Sequence, residues 1–177
     1  EKNNISKEYI ESSEKLNPSN RDNIIGIQSQ IWSETIRNED ILDYMFMPNI
    51  IVFSQKAWSK DPEWMKISDK SKRESTLDYE WNKFTNTIGQ RVLPIIDNIY
   101  GGLSYDLPKP GGIIKNDSLY ANSAFPGLNI KYTLDGSLPD IESMDYNSPV
   151  KLNPDDIVNL RLFDNRDRGG YPIQVNK

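Results

Sequence analysis

Two residue types that carry much of protein chemistry are missing from this sequence: Cys and His both number zero. The chain therefore offers no thiolate nucleophile, no disulfide, no Cys-ligated zinc, no Ser-His-Asp arrangement and no imidazole base. Acid–base work would fall to carboxylates, Lys or Tyr. Two adjacent carboxylate pairs stand out, Glu39-Asp40 and Asp155-Asp156. The first follows Asn38 and reads as the acidic opening turn of a helix; the second follows Pro154 and reads as a turn. The run Asp164-Asn165-Arg166-Asp167-Arg168-Gly169 is acidic enough to suggest a calcium loop, but it lacks the Gly and the distal Glu at loop spacing, so a polar hairpin turn is expected. Asp135-Gly136 is a turn signal without a ligand. No metal and no cofactor are expected. By residue type alone, Trp32 is a core aromatic and Glu34 a solvated turn carboxylate. Trp58, Trp64 and Trp81 fall at helical or connector positions and read as packing residues, and Tyr44 as a core tyrosine with a satisfied hydroxyl.

The elements that would position these residues fit a chain of 177 residues, one ordinary domain or two small ones. Twenty-one Lys+Arg against 26 Asp+Glu give a net charge of −5, which argues against non-specific nucleic-acid binding. Hydrophobic residues at 36% suffice for a core, while a mean hydropathy of −0.68 predicts polar loops. No run of about 18 apolar residues exists, so no membrane span is expected. The chain opens at Glu1, and no signal peptide is visible, so an internal piece of a longer polypeptide is expected.

Along the chain, Ser6 caps a predicted short helix over residues 7–16. Ile24-Ile25-Gly26-Ile27-Gln28-Ser29-Gln30-Ile31-Trp32 reads as a strand buried on two faces. Asn38 then caps a segment, residues 41–58, that is apolar on nearly every side and divided or kinked by Pro48. Ser75-x-x-Asp78 resembles a capping box, opening an amphipathic helix over residues 76–100 that Pro94 bends and Gly101-Gly102 ends. Leu107-Pro108-Lys109-Pro110-Gly111-Gly112 is a stiff linker. Short alternating segments with turn signals follow, around Ile113-Ile114, Leu119-Tyr120-Ala121, residues 130–133 and residues 158–163. They predict a small antiparallel sandwich.

Gly26-Ile27-Gln28-Ser29-Gln30-Ile31-Trp32-Ser33-Glu34, with Leu42-Asp43-Tyr44-Met45-Phe46-Met47-Pro48 and Ala57-Trp58, resembles the last strand and last helix of the catalytic barrel in glycoside hydrolase family 20, the β-N-acetylhexosaminidases. The resemblance continues through Trp81-Asn82-Lys83-Phe84 and Leu93-Pro94. Residues 119–127 and Ile130-Lys131-Tyr132-Thr133-Leu134-Asp135-Gly136-Ser137-Leu138-Pro139 are similar to the immunoglobulin-like domain that follows the barrel in chitobiase-type members.

The resemblance implies an α+β fragment. Residues 1–102 would hold the last β/α unit of a (β/α)8 barrel and a long helix, and residues 103–177 a small antiparallel immunoglobulin-like β-sandwich. It also implies hydrolysis of terminal N-acetylhexosamine by substrate-assisted catalysis, in which the substrate's acetamide is the nucleophile. The family's catalytic Asp-Glu pair has no counterpart here, since the chain contains no Asp-Glu dipeptide. No catalytic residue is therefore assigned, and the chain alone is expected to be inactive. Trp32 matches the aromatic that lies against the terminal sugar, and Glu34 the carboxylate that accepts its hydroxyl hydrogen bonds. An indole face suits the apolar face of a pyranose, and a carboxylate suits its hydroxyls. The implied partner is the terminal N-acetylhexosamine of glycans or chitooligosaccharides, with no nucleic acid. Self-association through the exposed barrel remnant and export of the parent protein are further expectations. The alternative is a non-catalytic carbohydrate- or protein-binding accessory module.

Overall fold

The computed structural model describes residues 18–176; the helix expected over residues 7–16 lies outside them. A 3-10 turn, Pro18–Asn23, leads into residues 24–32, which have no regular secondary structure. The two-face-buried strand expected here does not form. A strand satisfies its backbone N–H and C=O groups sideways, on neighbouring strands, and no described strand pairs with this segment. Its side chains are open to solvent instead, with Ile25 at 101% relative exposure.

The next segment divides at Pro48 as expected. Helix α1, Glu39–Phe46, begins at Asn38, whose side chain accepts the Ile41 N–H at 2.9 Å, and Glu39 and Asp40 occupy the first turn. Helix α2, Asn49–Trp58, follows. Burial on every side is corrected, since neither helix contains a fully buried residue. Met47 and Ile51 pack into a core, whereas Phe46, Val52 and Trp58 face outward, Trp58 at 90%. Trp81 is also exposed and Trp64 half-buried, so only Trp64 approaches the packing role expected of all three.

Helix α3 spans Lys70–Thr87 and starts earlier than the Ser75-x-x-Asp78 pattern suggests. Asp69 is the cap: its carboxylate accepts the Lys72 N–H at 2.7 Å and closes the first turn six residues sooner. Ser75 and Asp78 lie inside the helix, where the Ser75 hydroxyl donates to the Lys72 carbonyl. The helix widens into a π-turn, Ile88–Val92, in which the Leu93 N–H reaches back to the Ile88 carbonyl, and resumes as α4, Leu93–Ile96. Pro94, which has no N–H to continue an α ladder, sits immediately after the widened turn.

Among the described residues seven strands follow: β1 Gly111–Lys115, β2 Ser118–Asn122, β3 Asn129–Thr133, β4 Met144–Asp145, β5 Val150–Lys151, β6 Val158–Phe163 and β7 Ile173–Val175. They form two antiparallel sheets, β1-β2-β5 and β4-β3-β6-β7. Asn116 and Asp117 both adopt positive φ, 51° and 52°, and close a two-residue hairpin that sets Lys115 opposite Ser118. Leu119, Tyr132, Leu152, Val158, Leu160 and Val175 make the shared core. Gly112 lies over that core, where a Cβ would collide with Leu160 and Val175.

A second core joins the helices to the segment before β1. Ile88, Leu93 and Ile96 pack with Tyr105 and Leu107, so the stretch expected to act as a stiff linker is partly buried against α4. Loop residue Phe125 joins the same core, and Gly89 is the point of contact with that loop, because a Cβ there would strike the Pro126 carbonyl. Above this core sits an ionic cluster. Arg168, in the loop after β6, donates from Nε to Asp164 at 2.6 Å, from one terminal nitrogen to Asp97 at 2.7 Å and from the other to the Leu103 carbonyl at 2.9 Å. The Asp97 and Asp164 side chains are only 6% and 1% exposed. Arg168 lies over the Tyr105 ring at 4.5 Å. Burial works against the arginine's charge, but Asp164, Tyr105 and Asp97 together outweigh it and hold the guanidinium above its ordinary pKa. The expected polar hairpin at residues 164–169 is present, with Asp164 buried and accepting the Arg166 and Arg168 backbone N–H groups.

Removing Arg168 would strand two carboxylates out of water. Arg168→Ala is expected to cost roughly 3–5 kcal/mol in urea unfolding. Lys66→Ala, which breaks only the exposed pair with Glu63, is expected to cost at most about 0.5 kcal/mol. A second outcome concerns alkaline pH. Burial, then Asp164 and Asp97, push the Tyr105 hydroxyl well above its ordinary value of 10.0. A group whose pKa is raised by folding contributes stability that is complete below its unfolded value and is lost as pH rises past it. Stability should therefore fall above pH 10, the unfolded tyrosine value, with Tyr105 ionising only on unfolding; Tyr105→Phe should flatten that fall. Tyrosinate absorbance followed alongside unfolding checks both.

Candidate functional site

Trp32 precedes a short turn and Glu34 is its middle residue. Trp32 has extended backbone, φ −89° and ψ 132°, and Ser33–Thr35 form a 3-10 turn closed by the Ile36 N–H on the Ser33 carbonyl at 3.1 Å. The Thr35 hydroxyl donates to the Met45 sulfur at 3.7 Å, which ties the turn to α1. The two side chains named from the sequence are thus brought to one place and line the same pocket of about 500 Å3. Trp32 is 73% exposed, which corrects the core-aromatic reading, and Glu34 is exposed as a turn carboxylate should be.

The opposite wall is helical. Met45, Phe46, Asn49, Ile50 and Phe53 recur at the spacing of one helix face, carried from α1 into α2. Asn49 donates from its side chain to the Met45 carbonyl at 3.3 Å, which holds it beside the pocket. Gln30 adds an amide from the loop side. Asn49 and Gln30 escaped the sequence reading. The one signal available was the helical register of Asn49 with Met45, and Gln30 has none, because a residue in an irregular loop has no periodicity.

The pocket pairs an apolar floor with amides and one carboxylate, and among the described residues Glu34 is the only titratable side chain in its lining. Bond cleavage by paired carboxylates would need a second one at about 5–10 Å. Among the described residues no group of three or more acidic side chains is placed to hold a metal ion.

Residues 2–61 match the glycosyl hydrolase family 20 catalytic domain. Residues 93–170 match the chitobiase/beta-hexosaminidase C-terminal domain. Over these two stretches the chain is similar to the catalytic and C-terminal domains of family 20 enzymes. Among its relatives, N,N'-diacetylchitobiase of Vibrio harveyi is 33% identical over 120 residues, covering 63% of this chain and 13% of the relative. Beta-hexosaminidase of Vibrio vulnificus is 32% identical over 129 residues, covering 63% of this chain and 15% of the relative. The chain thus spans under one-sixth of the length of either curated relative. Within the family 20 match lie Trp32, Glu34 and both helices of the pocket wall.

On the far side of α1, the Tyr44 hydroxyl donates to Asp106 at 2.6 Å. Burial and then that carboxylate hold the Tyr44 pKa well above its ordinary value. The expected satisfied hydroxyl is present, on a half-buried ring.

The wall of the pocket depends on where α1 begins. Asn38→Ala is expected to lower stability by about 1 kcal/mol in chemical denaturation, and Asn38→Asp to retain most of it, since either Asn or Asp can accept the Ile41 N–H.

Proposed function

We propose that this chain forms the C-terminal part of an exo-β-N-acetylhexosaminidase and supplies one wall of its terminal-sugar pocket. The observation that carries the reading is the meeting of Trp32 and Glu34 in one cavity within the family 20 match. Trp32 offers a flat apolar face to the sugar ring, and Glu34 accepts hydrogen bonds from its hydroxyls. The substrates are terminal N-acetylglucosamine or N-acetylgalactosamine residues, hydrolysed with the substrate's own acetamide as nucleophile. The chain holds no His and no Asp-Glu dipeptide, so the acid and the acetamide-orienting carboxylate belong to sequence outside it.

Two structural features support this reading. Residues 24–32 are rich in β-branched and apolar side chains yet unpaired, as suits a final barrel strand whose neighbours belong to the rest of the domain. Phe46, Val52 and Trp58 present apolar surface that the same barrel would cover. In this reading the barrel portion extends to residue 102, and the seven strands form an immunoglobulin-like sandwich from residue 103 onward. Export of the parent protein belongs to the same reading.

The purified chain is expected to show no turnover of a chromogenic N-acetylglucosaminide. In the longer polypeptide, Glu34→Gln keeps shape but weakens the charge-assisted bonds, at a cost of about 1–3 kcal/mol, or roughly 5- to 150-fold in kcat/KM. Trp32→Ala should cost more, with folding intact. Unchanged kinetics for Glu34→Gln would reduce Glu34 to a solvated turn carboxylate and favour a non-catalytic accessory module.

A further inference from the structure

The α1–α2 pair is a plate with two working faces. One face, carrying Met45, Phe46, Asn49 and Phe53, lines the Trp32/Glu34 pocket. The other, carrying Met47 and Ile51, packs on the core that Tyr105 and Leu107 share with α4. Tyr44 leaves the same helix toward that second side.

One residue grips the plate twice from behind. The Asp106 carboxylate accepts the Tyr44 hydroxyl at 2.6 Å, and the Asp106 backbone N–H donates to the Met47 carbonyl at 3.2 Å. These bonds bracket Met45 and Phe46, the two pocket residues at the end of α1. Asp106 is itself flanked by the buried Tyr105 and Leu107, so its backbone is anchored in the second core. On the pocket side the plate is tied to the loop by the Thr35 hydroxyl on the Met45 sulfur. A continuous path of contacts therefore runs from the segment preceding the β-sheets, through α1, to the turn that carries Trp32 and Glu34.

We propose that Asp106 is a positioning residue for the Trp32/Glu34 pocket, holding the end of α1 from the side opposite the ligand. The C-terminal sheet domain would then act on the site by fixing the helix that forms its wall. The bearing on sugar turnover rests on the function proposed above; the coupling from Asp106 to Met45 does not.

The chain carries four methionines, placed as built-in reporters. Met45 lies in the pocket, Met47 in the second core, Met65 in the 3-10 turn before α3 and Met144 in β4. In a 13C-methyl-methionine spectrum of the chain, Asp106→Ala and Tyr44→Phe should displace Met45 together with Met47 and leave Met65 and Met144 in place. Asp106→Asn, which keeps an acceptor for Tyr44 and the backbone donor, should return Met45 close to its original position. Movement of Met47 alone, or of neither, overturns the proposal. Should Asp106→Ala unfold the chain, seen as collapse of the Met65 and Met144 signals, Tyr44→Phe removes a single hydroxyl and carries the same comparison. In the longer polypeptide, Asp106→Ala should lower kcat/KM by about 10- to 100-fold through misplacement of the wall. A displaced Met45 signal combined with wild-type kinetics for Glu34→Gln would overturn the sugar reading and leave the coupling standing.

Discussion

The architecture turns on one guanidinium. Arg168 bonds at once to the carboxylate of Asp97 at the end of α4, the carboxylate of Asp164 at the end of β6 and the carbonyl of Leu103 between them. Charges taken out of water stabilise a fold only when each has a partner in good geometry, and here two nearly buried carboxylates share one cation, which stacks on Tyr105. The arrangement requires the helix end, the pre-sheet segment and the β6–β7 hairpin to be in place together. Relative position is thereby specified by directional bonds, and the apolar contacts of Ile88, Leu93, Ile96, Tyr105 and Leu107 fill the space beneath.

This junction gives the two halves of the chain a mechanical relation. The segment from Leu103 to Leu107 is clamped on one side by Arg168 and on the other by Tyr44 and Met47. It links the sheet end of the chain to α1 and α2, which contribute one side of the pocket. The loop holding Trp32 and Glu34 contributes the other side, and its ties among the described residues are fewer. A pocket wall built partly on helices and partly on a loop is held most firmly where the helices form it.

Much of this was written in local chemistry. Asn38 followed by Glu39-Asp40 specifies a helix start, Pro48 a division, Asn116-Asp117 a tight hairpin, and alternating apolar residues at 130–133 and 158–163 two central strands. Each signal acts within a few residues, through a cap, a missing N–H or a pleat. The pairing of Trp32 with Glu34 was legible only through family resemblance, since residue type alone favoured a core aromatic. What composition and periodicity could not decide was anything requiring a distant partner. The run at 24–32 has the residues of a strand, but strands exist by pairing, and no described strand lies beside it. Residues 41–58 have the composition of a fully buried helix, but burial depends on what packs against them. Asp69 rather than Ser75 caps the helix; both residues have capping chemistry, so local chemistry alone does not choose between them. The roles of Asp106 and Arg168 were invisible for another reason. Their partners, Tyr44 and Asp97, lie 62 and 71 residues away, and only the tertiary fold brings such groups within hydrogen-bonding distance.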